Sequence, residues 1–303
     1  MPIALDVSQV SVAFGSVQAL NQVSLQVQQG TITAILGPNG AGKTTLIERC
    51  EGFGQLDSGK ITILGHDPKD PKVRPKVGAM LQQGGAWAGV RALEMLDHVA
   101  KMYASPHDTA RLADRLGIDK FANSQYRRLS GGQQQRLNLA LALVGRPEMV
   151  FLDEPTASLD VHARRDTWDL LKDLRTAGVT VVLTTHYLEE AEALADYVYI
   201  LDRGELVASG SPQELANSGG PSATVTTDKV IDLVQLAEAF PNWRVVKTAV
   251  PTTLDLHGEV DPKGFARFAS WCAERDYVIE SWRVGGFTLE ERFMELTGGM
   301  DEY

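Results

Sequence analysis

The sequence predicts an α/β chain: a mixed sheet with an antiparallel β subdomain, a helical insertion, and a small α+β domain at the C-terminal end. Three observations predict it. A β-branched apolar segment, residues 31–36, runs into Gly37-Pro38-Asn39-Gly40-Ala41-Gly42-Lys43-Thr44-Thr45 and then into a helical pattern at residues 45–50. Further apolar segments at 148–154 and 179–185 read as buried strands, each followed by polar residues suited to chemistry. Beyond a Gly/Ser/Pro stretch at 217–222 the pattern changes to short strands and helices in the order β-α-β-β-α-β, which is compatible with a ferredoxin-like domain.

The glycine segment has the form G-x-x-x-x-G-K-[ST], and strand–loop–helix is the setting that motif requires. The core is therefore of the P-loop NTPase type. Glycines let backbone N–H groups curl around phosphate oxygens, and the helix that follows turns its positive end toward them. Lys43 is placed to reach the β- and γ-phosphates, and the Thr44 hydroxyl to hold Mg²⁺.

Ahead of the loop, residues 5–29 alternate apolar and polar and predict two or three antiparallel strands. Phe14 falls in the turn Ala13-Phe14-Gly15-Ser16 between them. It is either a stacking platform for an adenine ring or a packing residue. Residues 59–65 and 77–83 read as two more strands. From Leu93 the apolar spacing becomes helical, and 84–128 carries no clear strand, which predicts a helical insertion.

Leu129-Ser130-Gly131-Gly132-Gln133-Gln134-Gln135-Arg136 precedes a helix with Leu137, Ala140, Leu141 and Val144 on one face. Ser130 is placed to cap it, and Gly131 and Gly132 leave its amide end open. Helix physics alone leaves two readings: a second anion site, or a capped core helix. Residues 148–154 end in Asp153 and Glu154. In open α/β sheets ligands bind beyond the carboxyl ends of strands. Asp153 there is suited to hold Mg²⁺, and Glu154 to orient and deprotonate an attacking water. Residues 155–160 form a loop with further oxygen ligands, and His186 closes the strand 179–185 on the same side. Residues 197–202 and 205–210 form a hairpin around Arg203-Gly204.

Composition sets the frame. The chain has 303 residues, 44% hydrophobic and 22% charged, enough for two domains with a substantial core. A net charge of −10 argues against general nucleic-acid binding, which needs a basic footprint. Two cysteines, Cys50 and Cys272, lack metal-type spacing and suit a reducing compartment. The first residues lack a signal-peptide pattern, and no apolar run nears the ~18 residues a membrane helix needs. Any membrane role is expected to run through a partner.

Taken together, the motifs over about residues 3–215 resemble the nucleotide-binding subunits of ATP-binding cassette (ABC) transporters. Leu129-Ser130-Gly131-Gly132-Gln133 is similar to that family's signature, which separates it from other P-loop ATPases. The resemblance places Gln82 at the Q-loop position, in contact with the metal and the reaction. It makes Asp153 the magnesium carboxylate, Glu154 the catalytic glutamate and His186 the switch histidine. Ser158-Leu159-Asp160 becomes the D-loop, with Asp160 at the nucleotide, and Phe14 the adenine-stacking aromatic. It implies two ATPs at a head-to-tail homodimer interface, with Ser130 and Gly132 of one copy closing on the nucleotide of the other. It also implies a separate integral membrane permease, contacted after Gln82 through Trp87 and Val90, and a location on the inner face of the cell membrane. The stretch Phe287-Thr288-Leu289-Glu290-Glu291-Arg292-Phe293-Met294-Glu295-Leu296-Thr297-Gly298 looks like the tail of daunorubicin-resistance-type export cassettes. Residues 84–90 depart from that group's usual proline- or leucine-containing stretch. The expected organisation is a nucleotide-binding domain at 1–216 with a helical subdomain at about 84–145, a linker at 217–222, and an accessory domain at 223–303. Two other readings compete with the transporter subunit: a soluble cassette ATPase acting on ribosomes or DNA, and a regulatory module that binds ATP without hydrolysing it.

Overall fold

The structure is a computed structural model that describes residues 2–80, 87–217, 222–248, 250–258, 260–285 and 288–297. The chain divides into two compact units, one up to Pro212 and one from Gln213.

The first unit begins with two long strands, β1 (Ile3–Phe14) and β2 (Val17–Gln28), paired antiparallel from Ile3↔Gln28 to Phe14↔Val17. Phe14 is thus the last residue of β1 rather than part of the turn, because Gly15 and Ser16 alone suffice for a two-residue reversal, with Gly15 at φ 61°. Next come β3 (Ile32–Leu36), buried throughout, and α1 (Lys43–Cys50), joined by the glycine loop. Strand β4 (Ser58–Ile63) returns to the other edge of β1 and completes a three-stranded sheet. Strand β5 (Val77–Met80) follows; the rest of the strand expected over 77–83 lies outside the described residues.

The helical insertion carries α2 (Ala92–Ala100), α3 (Thr109–Arg115) and α4 (Gly131–Leu143). The apolar stripe expected on α4 is wider than the sequence suggested. Leu139, Ala142 and Leu143 are buried along with Leu137 and Ala140, while Leu141 is only half-buried. The reason is that α4 touches β5, α2 and the strand that follows it, so more than one face is covered. That strand is β6 (Met149–Asp153). After it come α5 (Val161–Thr176), β7 (Thr180–Thr185), α6 (Leu188–Leu194) and the hairpin β8 (Tyr197–Asp202) and β9 (Glu205–Gly210).

These strands make a six-stranded sheet in the order β5-β6-β7-β3-β8-β9, parallel except at the β8–β9 edge. Leu46, Ile47, Val7, Leu20, Phe151 and Val182 share one core between this sheet and the antiparallel one. Helix α4 sits directly on the backbone of β5: a Cβ added to Gly78 would lie 2.1 Å from the Ala142 carbonyl oxygen. Gly78→Val is therefore expected to destabilise the fold by about 3 kcal/mol, read as a lower Tm in a thermal melt of the full chain. An unchanged Tm would show that α4 is not seated there.

Helix α7 (Pro212–Asn217) begins at the division, and the second unit goes on with β10 (Ser222–Thr227), α8 (Leu233–Ala239), β11 (Arg244–Lys247), β12 (Thr253–His257), α9 (Pro262–Ala273), β13 (Ile279–Gly285) and α10 (Leu289–Leu296). The sheet order is β11-β12-β10-β13, all antiparallel. That is the β-α-β-β-α-β arrangement the sequence predicts. Helix α8 starts at Leu233 instead of Lys229, because Asp232 caps it by accepting from the Val234 and Gln235 amides while Ile231 is buried. One face of the sheet and helices α8 and α9 enclose an aromatic core. In it Phe240 stacks on Trp243 at 4.3 Å beside Phe268 and Trp271. Helix α10 opens with a capping box between Thr288 and Glu291 and is tied to β11 by Arg244–Glu295 at 2.7 Å.

Candidate active site

The sheet order decides which side chains meet. Strands β3, β7 and β6 lie side by side and parallel, so the glycine loop, the residues after Thr185 and the Asp153–Glu154 pair all emerge at one end.

The loop is shaped by close backbone approaches. A Cβ on Gly37 would stand 2.3 Å from the Leu201 carbonyl oxygen. One on Gly42, at φ 104°, would stand 2.5 Å from the Ala19 carbonyl oxygen. Only glycine fits either place. Asn39 and Gly40 are exposed, Ala41 is buried, and the Ala41 amide donates to Pro38 O at 3.2 Å. Thr45, on the first turn of α1, is half-buried. The Lys43 ammonium folds back onto the loop, donating to Gly37 O at 2.7 Å and Pro38 O at 2.9 Å. Burial lowers its pKa, opposed by the charges of Glu154 and Asp153.

Thr44 Oγ1 donates to Asp153 Oδ2 at 3.0 Å, and the Thr184 hydroxyl donates to Asp153 Oδ1. Asp153 is only 3% exposed, so these two hydroxyls take the place of water around it. Glu154 leaves the strand with φ 50°, a conformation rare for a non-glycine residue. It is pinned there by its own backbone. Its amide donates to Thr184 O at 3.2 Å and Thr184 Oγ1 at 3.1 Å, and its carbonyl accepts from the Gln135 side chain. The result points its carboxylate at His186: Glu154 Oε1 lies 3.2 Å from His186 Nδ1. Of the expected site residues, Lys43, Thr44, Asp153, Glu154 and His186 therefore form one cluster.

The others lie elsewhere. Phe14 is 54% exposed, with the Arg49 guanidinium over its ring at 5.5 Å from the centroid, so it is not a core residue. Ser130 caps α4 with a full capping box: its amide donates to Gln133 Oε1 at 2.9 Å, and its Oγ accepts from the Gln133 amide at 3.4 Å. Gly131 and Gly132 follow, and these residues share with Ser158, Leu159 and Asp160 a shallow depression of about 370 Å³. Lys43, Thr44, Asp153 and Glu154 are not among its walls. Asp160 caps α5 by accepting from the Ala163 amide at 2.9 Å, and that backbone bond holds its pKa below the ordinary carboxylate value. Gln82 lies outside the described residues.

Sequence reasoning missed Thr184 and Gln135, the two side chains that fix Asp153 and Glu154. Thr184 looked like any β-branched strand residue, and Gln135 was one of three successive glutamines with nothing to single it out. Glu51 was also overlooked. Both its oxygens are buried without a hydrogen-bond partner among the described residues, and burial together with Asp153 and Glu48 pushes its pKa up to about 8.

A phosphate loop at the carboxyl end of a parallel sheet, beside a buried aspartate and a pinned glutamate, defines a nucleoside-triphosphate hydrolase of the P-loop class. Residues 20–157 match the family described as ABC transporter. The chain is 36% identical over 303 residues to the daunorubicin resistance ATP-binding protein DrrA3 of Streptomyces coeruleorubidus, covering 97% of this chain and 96% of that protein. It is 32% identical over 305 residues to the linearmycin resistance ATP-binding protein LnrL of Bacillus subtilis (strain 168), covering 97% and 98%. Among solved structures it resembles the ATP-binding cassette MJ0796, in a dimeric post-hydrolysis state bound to ADP and Pi. There the TM-score is 0.62 and the identity 28%, over 68% of this chain and 98% of that one. The chain belongs to the ATP-binding proteins of the ABC transporter family, in the group of the drug-resistance ATP-binding proteins. It is an ATPase of that family.

Proposed function

We propose that two copies of this chain bind two ATPs between them, hydrolyse them, and pass the closing motion to a separate membrane permease that exports its substrate. The observation that carries the chemistry is the cluster in which Glu154, held by Thr184 and Gln135, faces His186 beside Asp153 and Thr44. Lys43 is placed to leave its two loop carbonyls for the β- and γ-phosphates. Glu154 takes the proton of the attacking water, and His186 holds the water or the γ-phosphate in line. Gln82 completes the site by family resemblance. Phe14, with one side backed by Arg49, offers its ring to adenine.

The oxygens at Thr44 and Asp153 fit Mg²⁺. They are 3.0 Å apart, as two adjacent ligands of an octahedral ion at about 2.1 Å would be. Among the described residues no group of three His, Cys, Asp or Glu side chains gathers around a metal, so the remaining ligands would be phosphate oxygens and water. When bound, the ion neutralises charge on the phosphates.

The second anion site supports the two-copy reading. The amide end of α4, with Gly131 and Gly132 open beside capped Ser130, suits a γ-phosphate. Its depression is separate from the Lys43 cluster, which suits a nucleotide supplied by another copy.

No helix among the described residues is long and apolar enough to cross a membrane, so the permease is a separate chain in this reading, and the ATPase sits against it on the inner face. Trp87 is the contact we favour. It is 46% exposed and meets only the edge of His98 among the ring contacts of the described residues. Trp87→Glu is expected to abolish co-purification with the permease in detergent while leaving the ATPase rate of the isolated chain unchanged. Undiminished co-purification would remove Trp87 from the interface.

A further inference from the structure

Glu190 lies on α6, four residues beyond His186, and is completely buried. None of the roles above uses it. Its Oε1 accepts the Trp168 indole N–H of α5 at 3.1 Å. Among the described residues neither its Oε2 nor Thr156 Oγ1 makes a hydrogen bond, while the hydroxyls of Thr185 and Thr156 lie near enough to the carboxyl to favour its charged form. Both threonines are buried. Thr185 Oγ1 also accepts the Tyr187 amide at 2.9 Å, which leaves its own proton to turn toward Glu190. Burial raises the carboxyl's pKa, and these donors, with the charge of Arg164, oppose the rise.

The partners matter because of where they sit. Thr156 is two residues beyond Glu154. Thr185 immediately precedes His186. Trp168 and Arg164 are on α5, whose first residue follows Asp160. Arg164 also covers the Tyr187 ring at 4.6 Å, and that ring packs on the His186 imidazole at 4.1 Å. One carboxyl on the helix after His186 thus bonds to α5 and lies beside the Glu154 loop. A buried acid is a costly way to fill space, since an apolar side chain there would need no partners. An acceptor at this point does what an apolar group cannot: it holds the Trp168 donor of α5 and offers an oxygen to two hydroxyls in the neighbouring segments.

We propose that Glu190 is a positioning residue for ATP hydrolysis: through Trp168 it fixes α5 against the helix that follows His186, with the Glu154 loop packed beside it, so that Glu154 and His186 meet across the reacting water. The proposal rests on the roles given above to Glu154 and His186. Because the carboxyl acts as an acceptor for neutral donors, glutamine should replace it, whereas alanine should not.

The test is Mg²⁺-ATP hydrolysis by the full chain, with kcat expressed per nucleotide-binding site so that misfolded protein is not counted. Glu190→Gln is expected to stay within about twofold of wild type. Glu190→Ala is expected to lower kcat by about tenfold with KM for ATP within about twofold, because the loop that binds phosphate is untouched. Trp168→Phe, which removes one donor and keeps the packing, is expected to lower kcat by about threefold; it carries the test if the alanine variant does not fold. In a Glu154→Gln background neither change should cost anything more, since the group they position is already disabled. Wild-type kcat per site in Glu190→Ala or Trp168→Phe would overturn the proposal, and so would losses that multiply in the double variants. Failure of the underlying reading looks different: Glu154→Gln alone would then turn over at the wild-type rate.

Discussion

Glu154→Gln is expected to lower kcat for ATP hydrolysis by at least about 100-fold while leaving ATP binding intact. The size follows from what the substitution spares. The backbone of Glu154 is held by Thr184 on the amide side and Gln135 on the carbonyl side, and neither contact involves the carboxyl. Glutamine has the same shape and still meets His186 Nδ1 at the distance recorded for Oε1, 3.2 Å. Thr44–Asp153 and the Lys43 loop are untouched, so the nucleotide should bind as before. What disappears is the ability to accept a proton from water. The variant should therefore stop after ATP binding and accumulate as an ATP-bound dimer, visible by size-exclusion chromatography in Mg²⁺-ATP. A kcat within threefold of wild type would mean that another group takes the proton.

How much of this was legible in the sequence depends on whether a signal was local. The glycine loop was, because spacing alone dictates its form, and Gly37 and Gly42 show why: neighbouring carbonyl oxygens leave no room for a Cβ. The Ser130 cap was legible for the same reason, since a serine directly before a helical pattern is a local signal; its Gln133 partner was found only in the structure. The C-terminal strand and helix order was legible because each short element kept its own period. The devices that tune the site were not. Thr184 reaches Asp153 across a strand pairing 31 residues long in sequence, and Gln135 reaches Glu154 from α4, 19 residues away. No periodicity announces such contacts. Nothing local marks Glu190, one of three glutamates at 189–192, as the one that is buried. The wider burial of α4 had the same cause: β5 and α2 cover faces that the helix's own spacing left undecided. Position in the sheet, not residue type, made these groups matter.

Mixing two inactive variants is expected to restore ATP hydrolysis, to about a quarter of the wild-type rate at equal proportions. The variants are Lys43→Ala and Gly131→Asp. Lys43→Ala removes the ammonium from the loop, whose shape persists through Ala41 N–H to Pro38 O and Gly204 N–H to Ala41 O. Gly131→Asp disturbs little of its own chain, since the new Cβ meets Ser158 Cβ at an ordinary 3.4 Å. A carboxylate on the first turn of a helix even favours the helix dipole. It does, however, repel a phosphate approaching that amide end. Each variant alone puts a lesion in both sites of its dimer. In a mixed dimer, one site inherits both lesions and the other inherits none. Half the dimers in an equal mixture are mixed, and half their sites are sound, which gives the quarter. Absence of recovery would place the phosphate loop and the α4 end on the same nucleotide within one copy. Recovery would mean that neither half closes on ATP by itself. The loop around Lys43 then does more than hold a substrate: by needing the Ser130 end of a second chain, it turns ATP binding into a movement large enough for a permease to follow.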